Sequence, residues 1–270
     1  MDLINYNDLP DWYKDNEYIK TGYRKVNNCV YRCCESVFEI HNETTNIWTH
    51  LLGAVQFLIL CVFTLFDDLK LFSRLSLSFF CLTVALCFAL STMHHTFICH
   101  SHEVHKSCIL FDYLGIAIKI LGTTICGLYA YFYDTIYTNY FIIYSVLLGV
   151  LLSIFTNQLF NPNFYLPKHR AIRTTLIMCI VITSSFIPSI NAGFVLDFNS
   201  HQFIVITISL YGLYLMYSIG GFVYASRFPE AYFKLNFDYI GNSHNIMHVF
   251  IILGATIFYF GIRNILHLLD

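Results

Sequence analysis

Two short stretches concentrate histidines whose type and spacing suit metal binding. "STMHHTFICHSHEVH", residues 91–105, contains five of the chain's twelve histidines, and "SHNIMH", residues 243–248, contains two more. His244 and His248 are four residues apart, so on a helix they share one face. Imidazole nitrogens are common zinc ligands. Because both stretches border apolar runs, they predict a metal site at the edge of a membrane.

The composition is that of a membrane protein. Of the 270 residues, 57% are hydrophobic and 12% are charged, whereas a soluble domain carries about 25% charged residues. The formal net charge of -2 and the lack of a long basic run argue against a nucleic-acid partner. No cleavable signal peptide is expected at the polar start of the chain. Half of the ten cysteines lie inside apolar runs, which favours free, packed thiols over a disulfide network.

Seven apolar runs are long enough to cross a hydrocarbon core, which takes ~20 residues of helix. They predict an all-α, polytopic seven-helix membrane bundle, since backbone groups in lipid must be satisfied within each segment. The polar residues 1–46 are expected to form an arm with a short interfacial helix near "CVYRCCESVF". Residues 47–264 would form the membrane domain, and 265–270 a tail. The predicted spans are 48–66, 75–98, 109–130, 139–160, 173–194, 203–225 and 245–263.

The distribution of Lys and Arg predicts the orientation. If the N-terminus is cytosolic, eleven of the fifteen basic residues lie on the cytosolic side, three lie opposite, and Lys119 lies within the membrane. A cytosolic N-terminus and an extracytosolic C-terminus follow. The cytosolic set is Lys14, Lys20, Arg24, Lys25, Arg32, Lys106, Lys168, Arg170, Arg173, Arg227 and Lys234, and the opposite set is Lys70, Arg74 and Arg263.

This topology brings distant polar residues to one depth. Span two ends near His95, span three begins just before Asp112, and span seven begins at His244 and His248. Ionisable groups inside a membrane usually face an interior cavity and one another. Three imidazoles and a carboxylate suit a tetrahedral zinc ion that keeps one position for water. Iron, copper and nickel also accept imidazole, but zinc is the usual choice for hydrolysis.

Other candidate ligands are weaker. His94 lies about 100° around the helix from His95, so the two cannot face the same centre. Cys99 is a rival ligand one turn beyond His95, and His50 is expected to pack or to lie at the membrane interface. The remaining histidines of the first stretch, His100, His102 and His105, fall in the predicted connection between spans two and three.

Several motifs resemble the progestin and adipoQ receptor family, most closely its adiponectin-receptor branch, which is related to haemolysin-III-type membrane proteins. They run in family order and extend over nearly the whole chain beyond residue 12. The matching segments are "VFEIHNETTNIWTHLLG", "HTFICHS", "DYLGIA", "PKHR", "RFPE" and "FDYIGNSHNIMH". The resemblance independently implies a seven-helix bundle with a cytosolic N-terminus.

The resemblance also implies roles for individual residues. The family's three zinc ligands fall on His95, His244 and His248, and the aspartate that holds the zinc-bound water falls on Asp112. Ser91 takes the place of a family serine that positions water or supports the ligands. The cofactor implied is Zn²⁺. Adiponectin receptors are linked to ceramidase activity, which implies a ceramide-like or other lipid amide substrate, and receptor ligands of the family imply an extracellular protein or a steroid as partner.

The leading hypothesis is therefore zinc-dependent hydrolysis of a lipid amide coupled to receptor signalling. The alternatives are a receptor in which zinc only clamps the helices, and a channel or zinc transporter, which the scarcity of polar residues through the bundle disfavours. The plasma membrane and the endoplasmic reticulum are both compatible locations, and the oligomeric state is not predicted.

Lys119 departs from the family pattern, which has an apolar residue there. It lies seven residues after Asp112, nearly on the same helical face and ~10 Å further along the axis. Its amine is expected either to pair with a carboxylate or lipid oxygen in the interior, or to reach water while its stem packs.

Overall fold

The computed structural model describes residues 2–133, 138–165 and 167–270. Seven of its helices are long and apolar enough to cross a membrane, and the chain is an integral multi-pass membrane protein of the all-α class. The membrane helices are α2 Thr44–Leu65, α3 Leu71–Phe97, α4 His102–Tyr131, α5 Thr138–Gln158, α6 Arg170–Leu196, α7 His201–Ser226 and α8 Ser243–Leu269. The short helix α1 spans Val30–Glu35.

Each membrane helix starts earlier than the apolar run that predicts it. The largest difference is at α4, which begins at His102 because Ser101 caps it by accepting a hydrogen bond from the Val104 amide at 3.4 Å. His102 and His105 therefore lie in the first turns of a helix and not in a connection. At the far end, α8 continues to Leu269, so residues expected as a tail are helical. Most of the predicted connection 133–139 lies outside the described residues.

The bundle core is aromatic and depends on close helix approach. α3 packs along α2 and α4, and α7 packs along α8. Phe57, Phe80 and Phe258 are fully buried in this core, and the Phe80 and Phe258 rings meet at 4.9 Å between centroids. A Cβ on Gly122 would clash with Thr83 across the α3–α4 contact. Small residues of this kind allow membrane helices to pack closely.

The N-terminal residues fold onto one end of the bundle. A two-stranded antiparallel sheet joins β1 Leu3–Ile4 to β2 Tyr23–Arg24, and two short 3-10 helices lie between the strands. The Asp238 carboxylate, in the connection before α8, accepts hydrogen bonds from the Lys20 amide at 2.7 Å and the Thr21 hydroxyl at 2.5 Å. The arm thus packs against the end of the bundle at which α3 ends and α4 and α8 begin.

Helix α1 lies within this arm. Of the face predicted to be apolar, Cys33 is fully buried, whereas Val30 is 57% exposed and Cys34 is also exposed. The helix is therefore attached to the protein through Cys33, and its placement at a membrane interface stays a prediction.

Candidate metal centre

Three of the histidines singled out in the sequence meet at the arm end of the bundle. His95 comes from the last turn of α3, while His244 and His248 come from the first turns of α8. One ligand atom from each lies within 4.8 Å of the other two. The helix that carries the pair begins at Ser243, and the side chain of the preceding Asn242 caps it by accepting from the amides of His244 and Asn245 at 3.1 Å. Such a group of imidazoles can hold one metal ion.

Two of the three imidazoles are oriented through their Nδ1 atoms. His95 Nδ1 lies 2.8 Å from Oε2 of Glu43, and His248 Nδ1 lies 3.1 Å from the Thr49 hydroxyl. The Thr49 hydroxyl donates to the carbonyls of Thr45 at 2.7 Å and Asn46 at 3.1 Å, which leaves its oxygen to accept from His248 Nδ1 when that nitrogen carries the ring proton. In both rings the Nε2 lone pair is then left for another partner.

The Nε2 atom of His95 tests whether the site fits a metal. It is buried and has no hydrogen-bond partner among the described residues, although a buried polar group without a partner is costly. Histidine ligands typically donate their second ring N–H to a carboxylate or another acceptor. Glu43 and Thr49 supply those acceptors here. The residues present therefore fit a divalent metal such as zinc, bound through three imidazoles.

Glu43 contacts the three-histidine group, and the sequence analysis does not predict this contact. Its Oε2 also accepts from the Asn46 amide at 2.8 Å, and Asn46 in turn accepts from Asn245 on α8 at 2.8 Å. Burial by itself raises the pKa of the Glu43 carboxyl, but the hydrogen bond with His95 holds that pKa well below its ordinary value. The sequence does contain a signal for Glu43, because this carboxylate immediately precedes span one, in a segment at the same predicted depth as the histidines.

Arg24 is the second such residue, because it fixes the backbone that carries His95. It is fully buried and donates to the carbonyls of His95 at 2.5 Å and Thr96 at 2.9 Å, and to the Ser36 hydroxyl at 2.7 Å. These bonds tie the arm to the end of α3. An arginine in a polar arm gives no local sequence signal for this role.

Asp112 and Ser91 lie in the same cavity as the histidines but are not part of the group that could hold a metal ion. Their side chains neighbour each other, and both line the cavity. Ser91 is buried and Asp112 is partly exposed. This position suits a carboxylate that acts beside a metal rather than as a ligand, as the resemblance implies.

The cavity has a volume of about 540 Å³. The arm and helices α2, α3, α4, α6, α7 and α8 contribute its walls. The lining combines apolar side chains, such as Phe88, Ile120 and Val181, with the histidines and with Arg170 near the arm. Arg170 forms an ion pair with Asp15 of the arm. Burial by itself raises the pKa of the Asp15 carboxyl, but the positive charge of Arg170 beside it outweighs this effect and lowers that pKa. A cavity with these walls suits an amphipathic molecule.

The rival residues do not join the three histidines. Cys99 is fully buried, and its sulfur lies 3.7 Å from that of Cys33 in α1. The His94 ring neighbours that of His95 at 5.2 Å between centroids. His50 is buried and stacks on His248 with 3.4 Å between ring centroids, so it packs against the site. Neither His50 nitrogen has a hydrogen-bond partner among the described residues.

Several known proteins are similar in sequence to this chain over most of its length. The family model described as Haemolysin-III related matches residues 38–259, which contain all three histidines, Asp112 and Glu43. Progestin and adipoQ receptor family member 3 of Homo sapiens is 32% identical, and the alignment covers 92% of this chain and 80% of that protein. This chain belongs to the progestin and adipoQ receptor family.

Two longer family members are similarly related. The adiponectin receptor protein of Drosophila melanogaster is 30% identical over 97% of this chain and 59% of its own length. Progestin and adipoQ receptor-like protein 1 of Caenorhabditis elegans is 32% identical over 97% of this chain and 60% of its own length. The chain therefore spans about three fifths of these two relatives. The family assignment agrees with the seven membrane helices.

Proposed function

We propose that this protein hydrolyses a lipid amide inside its cavity, with zinc held by His95, His244 and His248. The observation that carries the proposal is the buried Nε2 of His95, which has no partner among the described residues while Nδ1 is taken by Glu43. An imidazole oriented in this way is prepared for a metal. Zinc held there supplies a polarised substrate carbonyl and a water activated for attack.

The chain's own residues would carry the protons. Asp112 accepts a proton from the attacking water as its oxygen bonds to the amide carbon, and delivers a proton to the nitrogen as the carbon–nitrogen bond breaks. The products are a carboxylic acid and an amine. Ser91, beside Asp112, keeps the carboxylate turned toward the cavity. The apolar walls contributed by Phe88 and Val181 hold the hydrocarbon chain and limit the entry of bulk water.

The substrate class follows from the cavity and the family. A cavity lined by apolar side chains from the bundle and by polar groups near the arm fits a lipid whose reactive bond lies near its headgroup. Ceramide and similar lipid amides have that form. Membrane lipids are thus the proposed partners, with an extracellular protein or steroid as a receptor ligand and no nucleic acid.

The test uses purified protein in lipid nanodiscs with fatty-acyl-labelled ceramide. We expect zinc-dependent release of labelled fatty acid, lost in Asp112→Asn and His248→Ala proteins. The matched control is His201→Ala, an exposed histidine at the start of α7. Release that persists equally in both site variants would refute the proposal.

A purely structural metal is the second candidate, because the ligands come from two different helices and are tied to a third through Thr49. A clamp of this kind predicts that His95→Ala, His244→Ala and His248→Ala each lower the unfolding temperature, while Asp112→Asn leaves every measured property unchanged. An enzyme predicts that Asp112→Asn keeps the fold and the bound zinc but loses hydrolysis. The two measurements on one variant separate the candidates.

From the basic residues we propose that the arm lies in the cytosol and that the metal site lies at the cytosolic end of the bundle. The exposed thiol of Cys34 on α1 reports it directly. An impermeant maleimide is expected to label Cys34 once the plasma membrane alone has been permeabilised, with internal membranes left intact, and not in intact cells. Labelling without permeabilisation would reverse the orientation. The same experiment with fractionated membranes distinguishes the plasma membrane from the endoplasmic reticulum.

A further inference from the structure

Lys119 places an ammonium group inside the bundle. The residue lies in the middle of α4 and is only 5% exposed, and it lines the cavity. In the described part of the chain, no hydrogen bond or ion pair to its ammonium nitrogen is present. Its nearest defined neighbours are the ring faces of Tyr217, 4.5 Å from nitrogen to centroid, and Phe88, 5.8 Å away.

An ammonium group in this setting lacks what usually stabilises it. A buried charge is costly unless it is paired and hydrogen-bonded, and intramembrane lysines normally have a partner or reach an aqueous interface. Two aromatic faces compensate in part, but they leave the ammonium hydrogens without acceptors. Asp112 is the carboxylate of α4 that lines the same cavity, and among the described residues it makes no ion pair with Lys119. The missing acceptor must therefore come from whatever occupies the cavity.

Some of the hydroxyl groups near Lys119 also lack a hydrogen-bond partner among the described residues, whereas those of Thr123, Thr124 and Ser184 are hydrogen-bonded. A second, small cavity of about 10 Å³ continues past Lys119 between α4, α6 and α7. Ser185, Tyr214 and Tyr217 line it, and the hydroxyl of each is buried without a hydrogen-bond partner among the described residues. This volume holds about one water molecule. Lys119 and Tyr217 also line the main cavity, so both side chains lie where the two cavities adjoin.

These groups are hydrogen-bond donors around a positive charge, so their chemical complement is an anion. A carboxylate offers about four acceptor sites on two oxygens and one negative charge. A plain hydrocarbon chain would leave the ammonium group and all three hydroxyls unsatisfied, and the rest of the cavity wall is too apolar to solvate them.

We propose that Lys119, supported by Tyr217, Tyr214 and Ser185, binds a carboxylate carried on the hydrocarbon chain of the cavity's ligand. This inference rests on the proposed function for the identity of that ligand, a lipid amide, and adds that its acyl chain bears a second, anionic oxygen group. The protein would then select dicarboxylic acyl chains over simple ones. The same carboxylate could also arrive on a free dicarboxylic acid.

The experiment measures binding to protein stripped of metal with a chelator, so that it does not depend on hydrolysis. The probes are two sphingoid-base amides with acyl chains of equal carbon number, one ending in a carboxylate and one in a methyl group, tested over a series of chain lengths. The free dicarboxylic acid is the third probe. Affinities are measured by competition against a fluorescent lipid in nanodiscs.

Wild-type protein is expected to bind the carboxylate-bearing amide at least about tenfold more tightly than the methyl-terminated one at the best chain length, as for a buried hydrogen bond to a charged group. The Lys119→Met protein should bind both amides equally. Lys234→Met is the matched control, because Lys234 is an exposed lysine in the connection before α8, outside the cavity lining. It should behave like wild type.

Tyr217→Phe provides a second variant that keeps the ring and removes only a hydroxyl, and it should reduce the preference several-fold without affecting the fold. Lys119-dependent binding of the amide but not of the free acid identifies the lipid amide as the source of the carboxylate, and equal binding of the free acid identifies the acid. No preference in wild type, or a preference that survives Lys119→Met, overturns the inference. Zinc-dependent hydrolysis of simple amides, measured separately, would leave the proposed function intact in that event.

Discussion

Replacing Glu43 by Gln tests the link between the arm end of α2 and the metal centre. The carboxylate accepts from His95 Nδ1 at 2.8 Å and from the Asn46 amide at 2.8 Å, both on Oε2. Glutamine keeps the shape of the side chain but removes its negative charge. Its amide NH₂ group would also face donors that need an acceptor. His95 then loses the charge-assisted hydrogen bond that orients its ring and increases the basicity of Nε2.

The expected size of the effect follows from the position of this contact. Substituting the hydrogen-bond partner of a metal-ligating histidine typically costs 10–100-fold in metal affinity, which is about 1.4–2.8 kcal/mol. The Glu43 side chain is only 14% exposed and that of His95 is 2% exposed, so solvent screens their interaction little. We therefore expect the upper half of that range.

The assay is a zinc competition titration of the purified protein against a chelator of known affinity, with bound metal counted by mass spectrometry. Glu35→Gln is the control, because Glu35 forms its ion pair with Arg32 on the surface of the arm. Glu43→Gln should lower zinc affinity while the unfolding temperature of the metal-free protein changes little. Zinc affinity equal to that of wild type would refute the assigned role of Glu43.

Three further outcomes follow from the same contacts. Thr49→Val removes the acceptor for His248 Nδ1 and should lower zinc affinity less than Glu43→Gln, since a neutral hydrogen bond is lost; an equal or larger loss would contradict this order. Arg24→Met removes the buried donors to the end of α3 and should lower the free energy of unfolding by about 1.5–3 kcal/mol. Denaturant unfolding in detergent measures this change, and an unchanged unfolding curve would contradict the role of Arg24. The hydrogen bond from Cys33, opposed by burial, lowers the pKa of Cys99 to about 7. Because the thiolate is the reactive form, diamide should form a Cys33–Cys99 disulfide faster as the pH rises through about 7, as followed by mass spectrometry, and a rate independent of pH between 6 and 8 would refute this reading.

The seven membrane helices could be predicted from the sequence because the requirement that produces them is local. Each crossing needs its own run of about 20 apolar residues, whatever the other helices do. The matched depth of His95, His244 and His248 follows from the order of those runs alone, and the structure brings the three imidazoles together. The predicted starts of the helices are less accurate, because the capping residues Ser101 and Asn242 lie outside the apolar runs.

Only the tertiary structure decided how the site is supported. Glu43 immediately precedes α2 and Thr49 lies near its start. Glu43 contacts His95, 52 residues further along the chain, and Thr49 contacts His248, 199 residues further along. Arg24 donates hydrogen bonds to the end of α3 from the arm, in which the sequence predicts only a short interfacial helix. Lys119 was visible in the sequence, but its lack of a partner was not. Such contacts depend on which helix faces which, and that is set by packing between distant segments rather than by the composition of any one of them.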